Sequence, residues 1–203
     1  VDQTTGKIEA INEKPAQGNG PCHVSLDPKG KFLFVSNYGS GDLAVYRVNS
    51  DGSIGDLADS IQHFGTGKQK PHMHSMIPSP DGRFVYASDL GVDKVFIYAV
   101  DQQTGKLSPA AQPFAQLADG AGPRHFDIHP NGKFAYSCAE LNNTVTAYRL
   151  DKESGGLTQL QVISMLPEGF TQTSYAADIH FSPDGKFLYA TNRGHESIVI
   201  YSV

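Results

Sequence analysis

Pro28-Lys29-Gly30-Lys31-Phe32 returns as Pro80-Asp81-Gly82-Arg83-Phe84, Pro130-Asn131-Gly132-Lys133-Phe134 and Pro183-Asp184-Gly185-Lys186-Phe187, about every fifty residues along the 203-residue chain. Each copy is followed by a short apolar run and then by a second run containing Tyr. Self-similarity at a fixed period means one supersecondary unit repeated in series. Within the phrase, Pro fixes φ while Gly, Asn and Asp accept the turn geometries that join antiparallel strands, so each copy reads as a hairpin.

Working outward from the first copy, strands are expected at His23–Leu26, Phe32–Ser36 and Leu43–Val48, with a weaker fourth near Ile61–Phe64. The third strand recurs as Val95–Tyr98, Val145–Tyr148 and Ile198–Tyr201, where β-branched and aromatic residues suit a pleated surface. No helical period appears. Four-stranded antiparallel units with no intervening helices predict an all-β fold, a β-propeller with about four blades present. The blades are expected at 19–68, 69–117, 118–170 and 171–203, with 1–18 as the outer strand of a preceding blade. Thr5-Gly6-Lys7-Ile8 matches Thr104-Gly105-Lys106-Leu107, and the last blade has three strands. Pairing of the termini would close a four-bladed ring; the reading adopted is a segment of a larger propeller.

The formal charge is −5, with 16 basic residues dispersed among 21 acidic ones, so no basic face is expected for a nucleic acid. No apolar run reaches the roughly 18 to 20 residues of a membrane span, and no leader is seen; neither a nucleic acid nor a membrane is expected as partner. Cys22 and Cys138 fall in different repeats and are expected as two reduced, buried thiols, which favours a cytoplasmic location.

Antiparallel connectivity gathers two loops per blade at one mouth of the central channel. The first set is Pro21-Cys22-His23, Pro71-His72-Met73-His74, Pro123-Arg124-His125 and Ala176-Ala177-Asp178. The second is Asn37-Tyr38-Gly39, Asp89-Leu90-Gly91, Glu140-Leu141-Asn142 and Asn192-Arg193-Gly194. Comparing copies, His23 and His125 are taken as equivalent, with His74 nearly so after one extra residue, and Arg124 is matched to Cys22, Met73 and Ala177. Arg193 matches Tyr38, Leu90 and Glu140, so neighbouring blades carry opposite charges at one position. A surface ion pair worth about 0 to 1 kcal/mol is the bland reading of Glu140 and Arg193. Convergence of His72, His74, Arg124, Glu140 and Arg193 reads better as an acid-base site for an anion.

His72-Met73-His74, Gly122-Pro123-Arg124-His125, Glu140-Leu141-Asn142-Asn143, Ala177-Asp178-Ile179-His180 and Asn192-Arg193-Gly194 together resemble the seven-bladed propeller lactonase family, over nearly the whole chain and in order. That family includes propeller-type 6-phosphogluconolactonases and the fungal enzyme that cyclises carboxymuconate. The resemblance implies a segment of a seven-bladed ring. It also implies hydrolysis of a small anionic sugar lactone, 6-phosphogluconolactone to 6-phosphogluconate in the pentose phosphate pathway, without metal or cofactor. Such hydrolysis needs a base for water, charge stabilisation at the carbonyl oxygen and a proton for the leaving hydroxyl. His72 or His74 is the candidate base and Glu140 its acid-base partner. Arg124 and Arg193 are the candidate anion binders, and His125, Asn192, Asp178 and His195 surround the substrate. His-x-His as the start of a metal site is the weaker reading. Gly65-Thr66-Gly67-Lys68 lacks the full spacing of a phosphate loop and reads as an inter-blade connection. A muconate-type cycloisomerase and a non-catalytic propeller binding protein or peptide are the alternatives.

Overall fold

Three four-stranded antiparallel sheets and one three-stranded sheet follow one another along the chain in a propeller arrangement of four blades. The computed structural model describes residues 1–203. Blade one comprises β1 (Pro21–Leu26), β2 (Phe32–Asn37), β3 (Asp42–Val48) and β4 (Ile54–Gln62). Blade two comprises β5 (Met73–Pro78), β6 (Phe84–Asp89), β7 (Lys94–Val100) and β8 (Leu107–Gln116). Blade three comprises β9 (Pro123–Ile128), β10 (Phe134–Ala139), β11 (Thr144–Leu150) and β12 (Leu157–Ser164), and blade four β13 (Tyr175–Phe181), β14 (Phe187–Arg193) and β15 (Ser197–Ser202). One 3₁₀ turn, Leu90–Val92, is the only helical element.

The repeated phrase makes the first hairpin of every blade. Gly30, Gly82, Gly132 and Gly185 all have φ between +65° and +73°, the region glycine enters without steric cost. The residue just before each Pro secures the turn. Asp27 Oδ1 accepts from Phe32 N at 2.7 Å, and the Ser79 and Ser182 hydroxyls accept from Phe84 N and Phe187 N at 3.0 Å. Turn backbone N–H groups are thereby satisfied at the face remote from the candidate site.

Between blades, sheet faces bury apolar layers. Phe34, Leu43, Met73 and Met76 fill the space between blades one and two, Tyr86 stacks on Phe126 at 4.9 Å between two and three, and Cys138, Met165, Ile179 and Leu188 lie between three and four. This face-to-face packing fixes the angle between blades and so the relative positions of the loops at the channel mouth.

One expectation changes. The fourth strand of blade one begins at Ile54, earlier than the Ile61–Phe64 stretch. Residues 1–18 lie along blade one, where Asn12 exchanges hydrogen bonds of 2.8 and 2.9 Å with the Ile54 backbone and Ala16 packs beside Val35, Ala44 and Tyr46. No helix is long and apolar enough to cross a membrane.

Candidate active site

The site grows out of an irregularity repeated in the innermost strands. In β1 the pairing with β2 passes from Pro21 opposite Asn37 to His23 opposite Ser36, leaving Cys22 unpaired. The same step leaves His74 unpaired between Met73 and Ser75, and Arg124 unpaired between Pro123 and His125. Such a bulge adds one residue to the strand and re-aims its side chain. His74 and Arg124 therefore occupy one position in successive blades, which corrects the sequence alignment of Arg124 with Met73 and of His74 with His125. Counting back six residues from the Pro of each turn gives Cys22, His74, Arg124 and Ala177 without any insertion.

Four rings cluster at the channel mouth. The centroid of His125 lies 5.5 Å from that of His23 and 5.2 Å from that of His74, and Tyr38 meets His74 edge-on at 5.7 Å. Burial pushes His74 down to about 3, helped by the neighbouring Arg124 charge, and pushes His23 down to about 4, helped by His125. Both rings are neutral at pH 7. The Nδ1 of His74 is buried without a hydrogen-bond partner.

Beside the rings sits a charged triplet. Glu140 Oε2 is 2.7 Å from Arg124 Nε and 2.7 Å from Arg193 Nη2, contacts that are close ion pairs rather than aligned hydrogen bonds. Arg124 also donates through Nη1 to the Ala177 carbonyl, and Arg193 through Nη2 to the Ala176 carbonyl at 3.3 Å. Arg124 and Glu140 side chains are each 17% exposed while Arg193 is 50% exposed. Glu140 thus bridges the guanidinium groups of its own blade and of the next.

His125 Nδ1 lies 2.6 Å from Asp178 Oδ1. Asp178 is also 3.3 Å from His180 Nε2, and His180 Nδ1 is 3.7 Å from Asp127. Burial lowers His125, opposed by its bond to Asp178; burial raises Asp127; burial also acts to raise Asp178, but the bond to His125, the charges of His125 and His180 and the Ile179 N–H together hold it below the usual carboxylate range. His23, His125, Asp178 and His180 border a cavity of about 240 Å³.

Three candidates lie at the edge of this cluster or away from it. His72 precedes β5; its Nδ1 is held by the Tyr38 carbonyl at 2.8 Å and its ring stacks on Tyr38 at 4.5 Å, so it belongs to the rim. Asn192 is buried and its amide nitrogen donates to the Met165 carbonyl and the Ser197 hydroxyl, a structural commitment. His195 bonds Ser197 through Nδ1 and packs edge-on against Phe170. His23, Tyr38 and His180 were not among the sequence candidates for the site. Counting back five residues from the turn Pro would have linked His23, His125 and Asp178 as equivalents in their blades.

The family model described as "Lactonase, 7-bladed beta-propeller" matches residues 1–203. The chain belongs to the seven-bladed β-propeller lactonase family. Among its relatives, a Bacillus subtilis protein named 6-phosphogluconolactonase is 37% identical over 207 residues, covering 100% of this chain and 58% of the relative. A protein of the same name from Formosa agariphila is 36% identical, covering 100% of this chain and 59% of the relative. Among solved structures, the periplasmic gluconolactonase PpgL of Pseudomonas aeruginosa superposes with a TM-score of 0.82 at 36% identity, over 90% of this chain and 53% of that one. The chain therefore spans somewhat more than half the length of these family members. Four of the seven blades expected of the family are accounted for by β1 to β15.

Proposed function

We propose that the full-length protein hydrolyses a phosphorylated sugar lactone, 6-phosphogluconolactone being the first choice. The observation that carries this reading is the Arg124–Glu140–Arg193 triplet beside neutral imidazoles at one channel mouth, in a chain whose relatives are named for that activity. Ester hydrolysis develops negative charge on the carbonyl oxygen, and a guanidinium offers paired, charge-assisted donors to it or to the substrate anion. Glu140 holds both guanidinium groups at a fixed separation. The imidazoles of the cluster supply the proton transfers to and from water and the leaving hydroxyl. Two unpaired thiols, Cys22 and Cys138, support a cytoplasmic reaction.

A second reading is a lactone without the phosphate. It is favoured by the engagement of both Arg124 and Arg193 with Glu140, which leaves less positive charge free for a dianion.

The test is the loss of 6-phosphoglucono-δ-lactone and of glucono-δ-lactone above their spontaneous rates, in the full-length protein and in Arg124→Ala. Acceleration confined to the phosphorylated lactone and lost in the variant supports the first reading. Equal acceleration of both supports the second, and none with either refutes both.

A further inference from the structure

We propose that His125 is the base that takes the proton from the attacking water and that Asp178 positions it, an inference that rests on the lactonase reading above. A carboxylate only accepts hydrogen bonds, so the 2.6 Å contact with Asp178 Oδ1 places the hydrogen of His125 on Nδ1 and leaves the lone pair on Nε2. Asp178 is itself fixed. Its Oδ1 accepts from Ile179 N at 3.0 Å, and its own N–H donates to the Thr191 hydroxyl at 2.9 Å. His125 Nε2 accepts a long hydrogen bond from Arg124 Nη1 at 3.5 Å, a contact that a water entering between them replaces by giving its proton to Nε2 and its oxygen to the guanidinium side. Base and oxyanion-stabilising guanidinium thus share one small space, the relation a water-mediated acyl transfer requires.

The other rings lack this support. The Nδ1 of His74 has no partner, and no carboxylate orients the ring. His23 Nδ1 accepts from the Met76 N–H at 3.5 Å, and no carboxylate holds its ring. A general base works best with a pKa near the operating pH. Values near 3 and 4 make His74 and His23 weak bases, whereas the Asp178 bond opposes the lowering of His125 by burial.

In the step itself, the water oxygen forms a bond to the lactone carbonyl carbon while one water proton passes to His125 Nε2. The carbonyl electron pair moves onto oxygen beside Arg124. Collapse of that tetrahedral species breaks the ring C–O bond, and the departing oxygen takes the proton back from Nε2 as a hydroxyl. The carboxylic acid then ionises to solvent, and His125 ends neutral.

The groups facing His125 are Arg124 on its own strand, His23 and His74 from blades one and two, and Asp178 from blade four, with His180 and Asp127 behind Asp178. The experiment measures kcat/KM against pH, after subtracting spontaneous hydrolysis, in the full-length wild type, His125→Gln and Asp178→Asn. Wild type is expected to lose activity on an acid limb below 6.5. His125→Gln should lower kcat/KM by about 10²- to 10⁴-fold and abolish the limb. Asp178→Asn should lower the rate and move the limb further down, because the carboxylate that raises His125 is gone; a merely structural residue would leave the limb in place. If His125→Gln does not fold, the limb in Asp178→Asn decides. Retention of kcat/KM within about threefold in His125→Gln, or an unmoved limb in Asp178→Asn, overturns the assignment while leaving the lactonase reading intact. A wild type inactive on both lactones overturns both.

Discussion

Glu140 and Arg193 occupy the same position in successive blades, six residues past the Phe of each turn, and their charged ends meet at 2.7 Å. The pair is more than a surface contact, because Arg124 closes on the same carboxylate oxygen and two of the three side chains are largely buried. Exposed pairs contribute about 0 to 1 kcal/mol; a partly buried carboxylate shared by two guanidinium groups has its main effect on geometry.

Replacing Glu140 with Gln removes the charge that holds Arg124 and Arg193 together while preserving volume. We expect kcat/KM to fall about 10²-fold, the cost of misplacing a group by about 1 Å, with the fold retained. Steady-state kinetics together with a thermal melt checks this. Unchanged kinetics would mean that the arginines are placed by their bonds to the Ala176 and Ala177 carbonyls alone.

Asp89 shows how the scaffold is joined to the rim. Its buried carboxylate accepts from His72 N at 2.8 Å and Gly91 N at 3.1 Å, and pairs with His63 at 2.9 Å, whose far nitrogen meets the Tyr98 hydroxyl at 2.7 Å. Asp89→Ala removes the acceptor of His63 Nδ1 and of the His72 and Gly91 N–H groups at a carboxylate that is itself fully buried. A loss of about 3 to 5 kcal/mol is expected, seen as a drop in melting temperature of roughly 10 °C. A drop below about 2 °C would show that the network is replaced by solvent.

Much of this architecture is legible in the residues, for reasons that differ from one part to another. The Pro-x-Gly-x-Phe turns announce the hairpins because a positive φ at Gly82 and its equivalents is a local demand. Opposed charges at Glu140 and Arg193 are found by counting, since successive blades superpose. His74 was misplaced because Ser75 and His125, not His74 and His125, pair at equivalent points of their ladders, and a bulge is invisible to a reading based on strict alternation. Asn192 read as a site residue by its neighbourhood, yet it shares its place in the blade with Asn37 and Asp89, whose polar groups also bond within the loops. The bond between His125 and Asp178 joins residues from two blades, and only blade packing fixes its length.

The two thiols should separate sharply in reactivity. Both Cys22 and Cys138 are expected from the sequence to be buried, but Cys22 is exposed at the channel mouth while Cys138 is buried. Burial pushes Cys138 up to about 12 and raises Cys22 as well. A disulfide reagent should therefore modify Cys22 and spare Cys138 in the folded protein, slowly at neutral pH and faster as pH rises, because the thiolate is the reactive form. Mass spectrometry should locate the label on Cys22, and labelling should inhibit lactone hydrolysis by crowding His74 and Arg124. Equal labelling of Cys138 would mean that the packing between blades three and four opens readily.

His23 and His74 make stability depend on pH in a predictable window. Both are neutral in the folded state down to about 4 and about 3, whereas in the unfolded chain each takes up a proton near 6.5. Between those values the unfolded state binds more protons, so stability rises with pH there and is lost progressively as pH falls from about 6.5 towards 4. Above 6.5 neither residue contributes any slope. Denaturant midpoints taken at pH 8, 6.5, 5 and 4 should stay level and then decline, and His74→Gln should flatten the decline, because an amide takes up no proton in either state. A decline equally steep in His74→Gln would assign the acid sensitivity to other groups and mean that the His74 ring is solvated in the folded protein.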